Sequence, residues 1–206
     1  MCSEFEKDPD NTTVKNDSIK HDKLTRKSIF PTVIATAKGR KGLIKVRLLL
    51  DTCSSVDYVT VGKSKSITNK IIEENVPFKL TTLTGTQNCN YDLIEVLLVT
   101  PVGQTIAINS YVKNNLPTVE PVDITNEMIK NMCGKHDIVF GDTYPRKKPI
   151  QCDMLISVQT MMRIIGTEPI KLSEQLQLLP TKWGHILMGA PDLALMKKGT
   201  TLMFKV

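Results

Sequence analysis

The feature that most restricts the fold is a rhythm of short apolar runs broken by turn residues. The stretches PTVIATAKG from Pro31 and LIKVRLLLD from Leu43 flank Gly39-Arg40-Lys41-Gly42. Two β-rich runs on either side of a glycine-bounded pair read as a hairpin. More strand-like runs follow at Tyr58–Val61, Phe78–Leu83, Leu93–Thr100 and Thr105–Val112, and Pro101-Val102-Gly103 marks a second hairpin turn between the last two. Helix signals are fewer. From Asp123 to Gly134 there is an Asp or Thr cap, Ile124, Met128 and Ile129 on one face, and a closing Gly. A second candidate runs from about Val158 to Ile165 and stops at Gly166. Many short strands with two or three short helices predict a mainly β fold, a closed antiparallel barrel with helical inserts. The strands do not alternate with long helical segments, which disfavours a parallel α/β sheet.

Residues 1–28 are polar and charged without apolar periodicity, so they cannot bury enough surface to offset the entropy of ordering. They are expected to form a disordered leader, with the folded domain over 29–206. The leader holds six basic and six acidic side chains, so the net charge of +6 falls entirely on the remainder. Basic groups gather at Lys38, Arg40, Lys41, Lys45 and Arg47, and again at Arg146, Lys147 and Lys148. These runs lack the interleaved aromatics of many nucleic-acid surfaces and read as solvated loop tips, so a nucleic-acid partner is not expected. No apolar stretch approaches the roughly 18 residues of a membrane helix, and the N-terminus lacks the basic-then-apolar order of a secretory signal. An intracellular, cytoplasmic location and no membrane partner are the expectation.

The five cysteines, Cys2, Cys53, Cys89, Cys133 and Cys152, are odd in number and scattered, which suits reduced thiols better than a disulfide framework. Cys133 and His136, with Cys152 further on, are a single short-spaced pair where a zinc site presents two. No metal and no cofactor is expected. The methionines, including Met161-Met162, read as core filler or cleft wall, and Trp183 as a partly buried anchor.

The stretch with chemical content is Val46-Arg-Leu-Leu-Leu-Asp51-Thr52-Cys53-Ser54-Ser55, an apolar strand that runs straight into a carboxylate. Such an Asp can simply cap a turn with its own backbone. The rest of the chain adds a functional alternative. LLLDTCSS is similar to the hydrophobic-hydrophobic-Asp-Ser/Thr-Gly-Ser/Ala signature of retropepsin-like aspartic proteases. Cys152-Asp153-Met-Leu-Ile-Ser157, with a helix-like stretch after it, looks like that family's Asp-Ile-Leu-Ile-Gly segment. Lys182-Trp183-Gly184-His-Ile-Leu-Met-Gly189 resembles the Gly-Trp-x-x-x-Gly element closing the protease domain of BEL/Pao-type retrotransposon polyproteins, with Trp and Gly transposed. Leu83-Thr84-Gly85-Thr86 falls where the family has its flap. The resemblance spans about residues 30 to 190.

The resemblance implies an intracellular aspartic endopeptidase of retroelement origin, active as a homodimer on a polypeptide substrate. It assigns Asp51 as the catalytic carboxylate and Thr52 as its partner across the dimer. Cys53, Ser54, Thr84, Gly85 and Thr86 would line the substrate site. The chain departs from the family at Cys53 and Ser157, both Gly there, and glycine permits close backbone approach and strained dihedrals. A catalytically degenerate peptide-binding or dimerisation module of the same fold, an unrelated β domain, and a Cys53/His185 nucleophilic pair are the alternatives left open at this stage.

Overall fold

The computed structural model describes residues 28–67, 69–82, 85–134 and 137–191; the expected leader lies outside them apart from Ser28. In chain order the elements are β1 (Thr32–Gly39), β2 (Gly42–Leu50), β3 (Asp57–Thr60), α1 (Val61–Ser64), β4 (Asn69–Thr82), β5 (Gly85–Val99) and β6 (Thr105–Lys113). They continue with β7 (Thr118–Val119), α2 (Asn126–Cys133), β8 (Ile150–Gln151), β9 (Met154–Ile156), α3 (Val158–Ile164), β10 (Ile170–Lys171), β11 (Leu176–Thr181) and β12 (Gly184–Gly189). The molecule is mainly β, as its turn-punctuated sequence predicts.

The principal sheet has the order β1-β2-β9-β3-β6-β5-β4, and β1 also pairs with β5 through Thr36↔Val99 and Ala37↔Leu98. The hairpin expected at Gly39–Gly42 forms with unbroken register from Thr32↔Leu49 to Gly39↔Gly42. Gly42 has φ of 126°, a value that favours glycine, and a Cβ at Gly39 would sit 2.8 Å from the Gly42 carbonyl. Not every pairing is antiparallel. β9 runs parallel to β2 (Leu48↔Met154 to Leu50↔Ile156) and antiparallel to β3, while β3 runs parallel to β6. Parallel neighbours need long connections, and the hundred-odd residues between β2 and β9 supply one.

Side-chain alternation explains the layers. Leu48, Leu50, Val59, Met154 and Ile156 point to one face and join Val33, Ala35, Val96, Leu98 and Ile108 in the main core. Leu49, Tyr58 and Leu155, one position out of phase, join Leu116, Val119 and Cys152 in a second cluster on the opposite face. Each fully buried Leu, Ile or Met adds roughly 1.5–3 kcal/mol of apolar burial. A third cluster, around α2, collects Ile124, Ile129, Cys133, Ile138, Tyr144 and Leu187.

Both helices expected from the sequence form, and their caps follow from it. Thr125, rather than Asp123, caps α2 by accepting from Met128 N, and Gly134 follows the helix at φ 65°. Ser157 caps α3 by accepting from Thr160 N at 3.4 Å. β4 is far longer than the Phe78–Leu83 run anticipated, because Glu73-Glu74-Asn75 and Pro77 disguise its first half. Register shifts between Ile71 and Val76 absorb the extra residues, and β4 ends the strand order, where a proline is tolerated. Trp183 is buried at 7% exposure and donates its Nε1–H to the Val99 carbonyl at 2.9 Å, as an anchor should. Met161 lies in the main core, but Met162 is 65% exposed. Among the described residues no helix is long and apolar enough to cross a membrane.

Arg146 departs from the solvated reading of its basic run. It is 3% exposed, and with Arg47 it flanks Asp142, whose side chain is fully buried. Thr32 Oγ1 donates to Asp142 Oδ2, and Thr143 N donates to Oδ1 at 2.6 Å. Lys147 and Lys148 are exposed as expected. Sequence could not separate the three, because the carboxylate that recruits Arg146 is one helical-turn spacing upstream in a segment without regular structure.

Burial also sets an alkaline limit. Tyr144 is pushed up to about 12 chiefly by desolvation, and Cys152 to about 11 for the same reason. The unfolded chain loses these protons near pH 9 to 10, whereas the folded chain retains them. Native protein therefore binds more protons in that window, and stability falls as pH rises from about 9 to about 12, by on the order of 2 to 3 kcal/mol per group. Urea midpoints measured from pH 8 to 11 should decline; a flat profile would mean that both groups are solvated.

Candidate functional site

Asp51 sits where β2 ends, held by the strand inserted beside it. Its N–H donates to the Ile156 carbonyl at 2.9 Å, and Val158 N donates to the Ser54 carbonyl at 3.1 Å. The loop between β2 and β3 is thereby fixed to the segment from β9 to α3 at both its start and its middle. Inside the loop, Ser54 N donates to the Asp51 carbonyl at 3.3 Å, and Ser54 Oγ donates to the Val56 carbonyl at 2.7 Å. Asp51 and Ser54 are half-buried, and Thr52 and Cys53 are exposed.

The carboxylate performs the turn-capping role open to any Asp here: Oδ1 accepts from Cys53 N at 2.9 Å. Oδ2 has no hydrogen-bond partner among the described residues. One oxygen is therefore oriented by the backbone and the other is available. Cys53 accommodates its Cβ without strain, because the one non-glycine residue with positive φ among those described is Asn75. Ser157 supplies a capping hydroxyl that glycine could not.

A second carboxylate in the neighbourhood, Asp57, was not singled out from the sequence. It is 7% exposed and accepts from Ser157 N and from Thr160 Oγ1, each at 2.6 Å. It clamps the start of β3 to the first turn of α3, beneath the Asp51 loop. An Asp six residues after another carries no spacing signal, which is why sequence passes over it. Beside the loop lies an open depression of about 400 Å³, lined in part by Ser55, Val56, Asn109, Tyr111, Gln159 and Arg163.

Of the residues expected to cover a substrate, Gly85 and Thr86 lie exposed at the start of β5, next to the β4–β5 turn, and Gly85 has φ of 134°. Thr86 Oγ1 meets Thr81 Oγ1 across the hairpin at 3.3 Å. Thr84 lies outside the described residues. Further down, one face of this hairpin rests on an aromatic cluster. Phe78 lies 4.8 Å from Tyr111 between ring centroids and 5.9 Å from Tyr91, and Tyr58 closes the group. Tyr91 is pushed up to about 12, first by burial and then by its hydrogen bond with the Cys89 thiol. The cluster ties the hairpin's base to the body of the sheet.

The other nominated groups are not assembled. His185 Nδ1 faces the Val139 carbonyl at 3.4 Å and shares no hydrogen bond with Cys53. Cys133 and Cys152 are buried in different clusters, His136 lies outside the described residues, and among those described no three His, Cys, Asp or Glu side chains gather as a metal site would require.

No family model, no curated protein and no solved structure matches this chain.

Proposed function

We propose that the chain is an aspartic endopeptidase of retroelement origin, of the retropepsin-like kind, acting as a homodimer on an extended polypeptide. The observation that carries this reading is the Asp51 carboxylate, with one oxygen held by Cys53 N and the other unpartnered among the described residues, on a loop pinned to β9 and α3. The insertion of β9 between β2 and β3 and the double pairing of β1, which suits a closed barrel, support it further.

One chain contributes one such Asp, so two copies related by a two-fold axis bring two Asp51 carboxylates together. Like charges at that distance cannot both ionise, so the pair holds one proton between them. The ionised member takes a proton from a trapped water whose oxygen attacks the scissile carbonyl carbon, and the protonated member donates to the carbonyl oxygen. The resulting tetrahedral species collapses as the leaving nitrogen is protonated. Thr52, exposed in the single chain, would bond across the dimer, and the hairpin tip at Gly85 and Thr86 would cover the peptide. An extended peptide between loop and hairpin can be read through its main chain.

Sedimentation over increasing concentration, run alongside cleavage of a hydrophobic peptide, tests the proposal. Self-association should track activity, and the rate should peak at acidic to mildly acidic pH, where one of the coupled carboxylates keeps its proton. A strictly monomeric protein that cleaves would defeat it. Reproducible association without cleavage at any pH would favour the degenerate binding module instead.

A further inference from the structure

The fold gathers basic side chains that lie apart in sequence. Residues 28–50 contain Lys38, Arg40, Lys41, Lys45 and Arg47 and no acidic residue; residues 58–72 contain Lys63, Lys65 and Lys70 and again none. The two segments meet. Arg40 N donates to the Ser66 carbonyl at 3.1 Å, Gly39 bridges to Ile67, and Lys63 Nζ reaches the Lys45 carbonyl at 3.2 Å. The tip of the β1–β2 hairpin and the end of α1 thus form one surface.

Few of these charges are neutralised. Lys63 pairs with Asp153 and Arg47 with Asp142, but among the described residues Lys38, Arg40, Lys41, Lys45 and Lys65 have no carboxylate partner, and all five are exposed. Nine residues of β2 separate the tip from Asp51, a distance of roughly 30 Å at the rise of a strand. The patch therefore does not compete with the proposed cleavage site and does not depend on it.

The sequence presents these basic residues as separate solvated tips, but because the fold joins them into one surface we propose that it binds the phosphate backbone of a nucleic-acid duplex. The tip is held against the sheet through Thr36↔Val99 and Gly39↔Ile67, so it presents a fixed basic surface on which Lys38, Arg40, Lys41 and Lys45, with Lys65 at the end of α1, would lie against neighbouring phosphates. No aromatic side chain occurs between Lys38 and Arg47 or between Lys63 and Lys70, so the stacking platform that single strands require is missing. Over residues 38–47 and 63–72 the exposed large apolar side chains are Leu43 at the tip and Ile71 and Ile72 after Lys70, scattered on separate strands without the helical apolar face that holds a membrane surface, and vesicles are accordingly an arm of the test. Contacts of this kind are indifferent to sequence and steeply dependent on salt.

The test uses fluorescence anisotropy of the whole chain with a labelled duplex of about 20 base pairs, read as log affinity against log salt, with an expected slope of about −4. Arg40→Gln with Lys41→Gln should reduce the slope by about 2 and weaken binding roughly 50-fold at 0.1 M salt. Lys65→Gln, on the other element, should lower the slope by about 1 and guards against damage to the hairpin turn. Equal or tighter binding to a single strand of the same length, to polyglutamate or to phosphatidylserine vesicles would overturn the proposal. So would an unchanged slope in these variants.

Discussion

Asp51→Asn is expected to lower peptide cleavage by about a thousandfold or more, since the amide can neither take a proton from water nor share one with its twin. The substitution should leave the fold intact. Asn retains an oxygen that can accept from Cys53 N, the bond that shapes the loop at 2.9 Å. Cys53→Gly separates the remaining possibilities. In a working aspartic protease it should preserve or raise the rate, because the exposed thiol beside the carboxylate is replaced by a residue that lets two loops approach more closely. Were Cys53 the nucleophile, the same change would eliminate cleavage and Asp51→Asn would matter less. If the native chain is inert and Cys53→Gly creates Asp51-dependent cleavage, the domain is a lapsed protease that binds. Full activity in purified Asp51→Asn protein would sink the aspartic mechanism.

Asp142→Ala should cost about 3–5 kcal/mol of stability, the usual penalty for leaving a buried charge without its partner. The Arg146 side chain is 1% exposed and that of Arg47 15%, so neither guanidinium gains enough water to compensate. Arg146 Nε already lacks a hydrogen-bond partner, so the cluster has no reserve acceptor. For a chain of this size the thermal midpoint should fall by about 10 °C. Lys147→Ala, one residue from Arg146 and exposed, should shift stability by no more than about 0.5 kcal/mol. Equal small shifts for both variants would show that the cluster is hydrated and contributes little.

The parts of this molecule that sequence reveals are those whose local pattern is also the global one. The Gly39–Gly42 hairpin, Thr125 and Gly134 around α2, and the end of α3 near Gly166 all carry their signal within a few residues. β9 lies in the Cys152–Ser157 block that resembles the family segment, but its local pattern does not mark it as a strand. Met154, Leu155 and Ile156 make a three-residue strand whose meaning comes from the neighbours on either side, β2 and β3, about a hundred residues earlier. The candidate site divides in the same way. Asp51 stands out because an apolar strand leads into it, while Asp57 and Asp142 acquire roles through partners 100 and 110 residues away, Ser157 and Thr32. Lys63 and Lys65 carry no signal of their own and join the hairpin tip only through the fold, where Arg40 N meets the Ser66 carbonyl.

The bridge between Ile29 and Gly189 has a mechanical consequence. Ile29 N donates to the Gly189 carbonyl at 2.6 Å, Gly189 N returns a bond at 3.3 Å, and the pairing is antiparallel. The chain before Ile29 and the chain after Gly189 therefore leave in the same direction from one point. Tension applied through both flanks would load these two bonds in an unzipping geometry, together with the bond from Ala190 N to the Gln175 carbonyl at 2.8 Å just outside them, before reaching the register of β12 on β11. A domain whose core resists heat could accordingly yield to a weak pull, and it would open from the seam where its two ends meet while the Asp51 loop, tied to β9, was still closed.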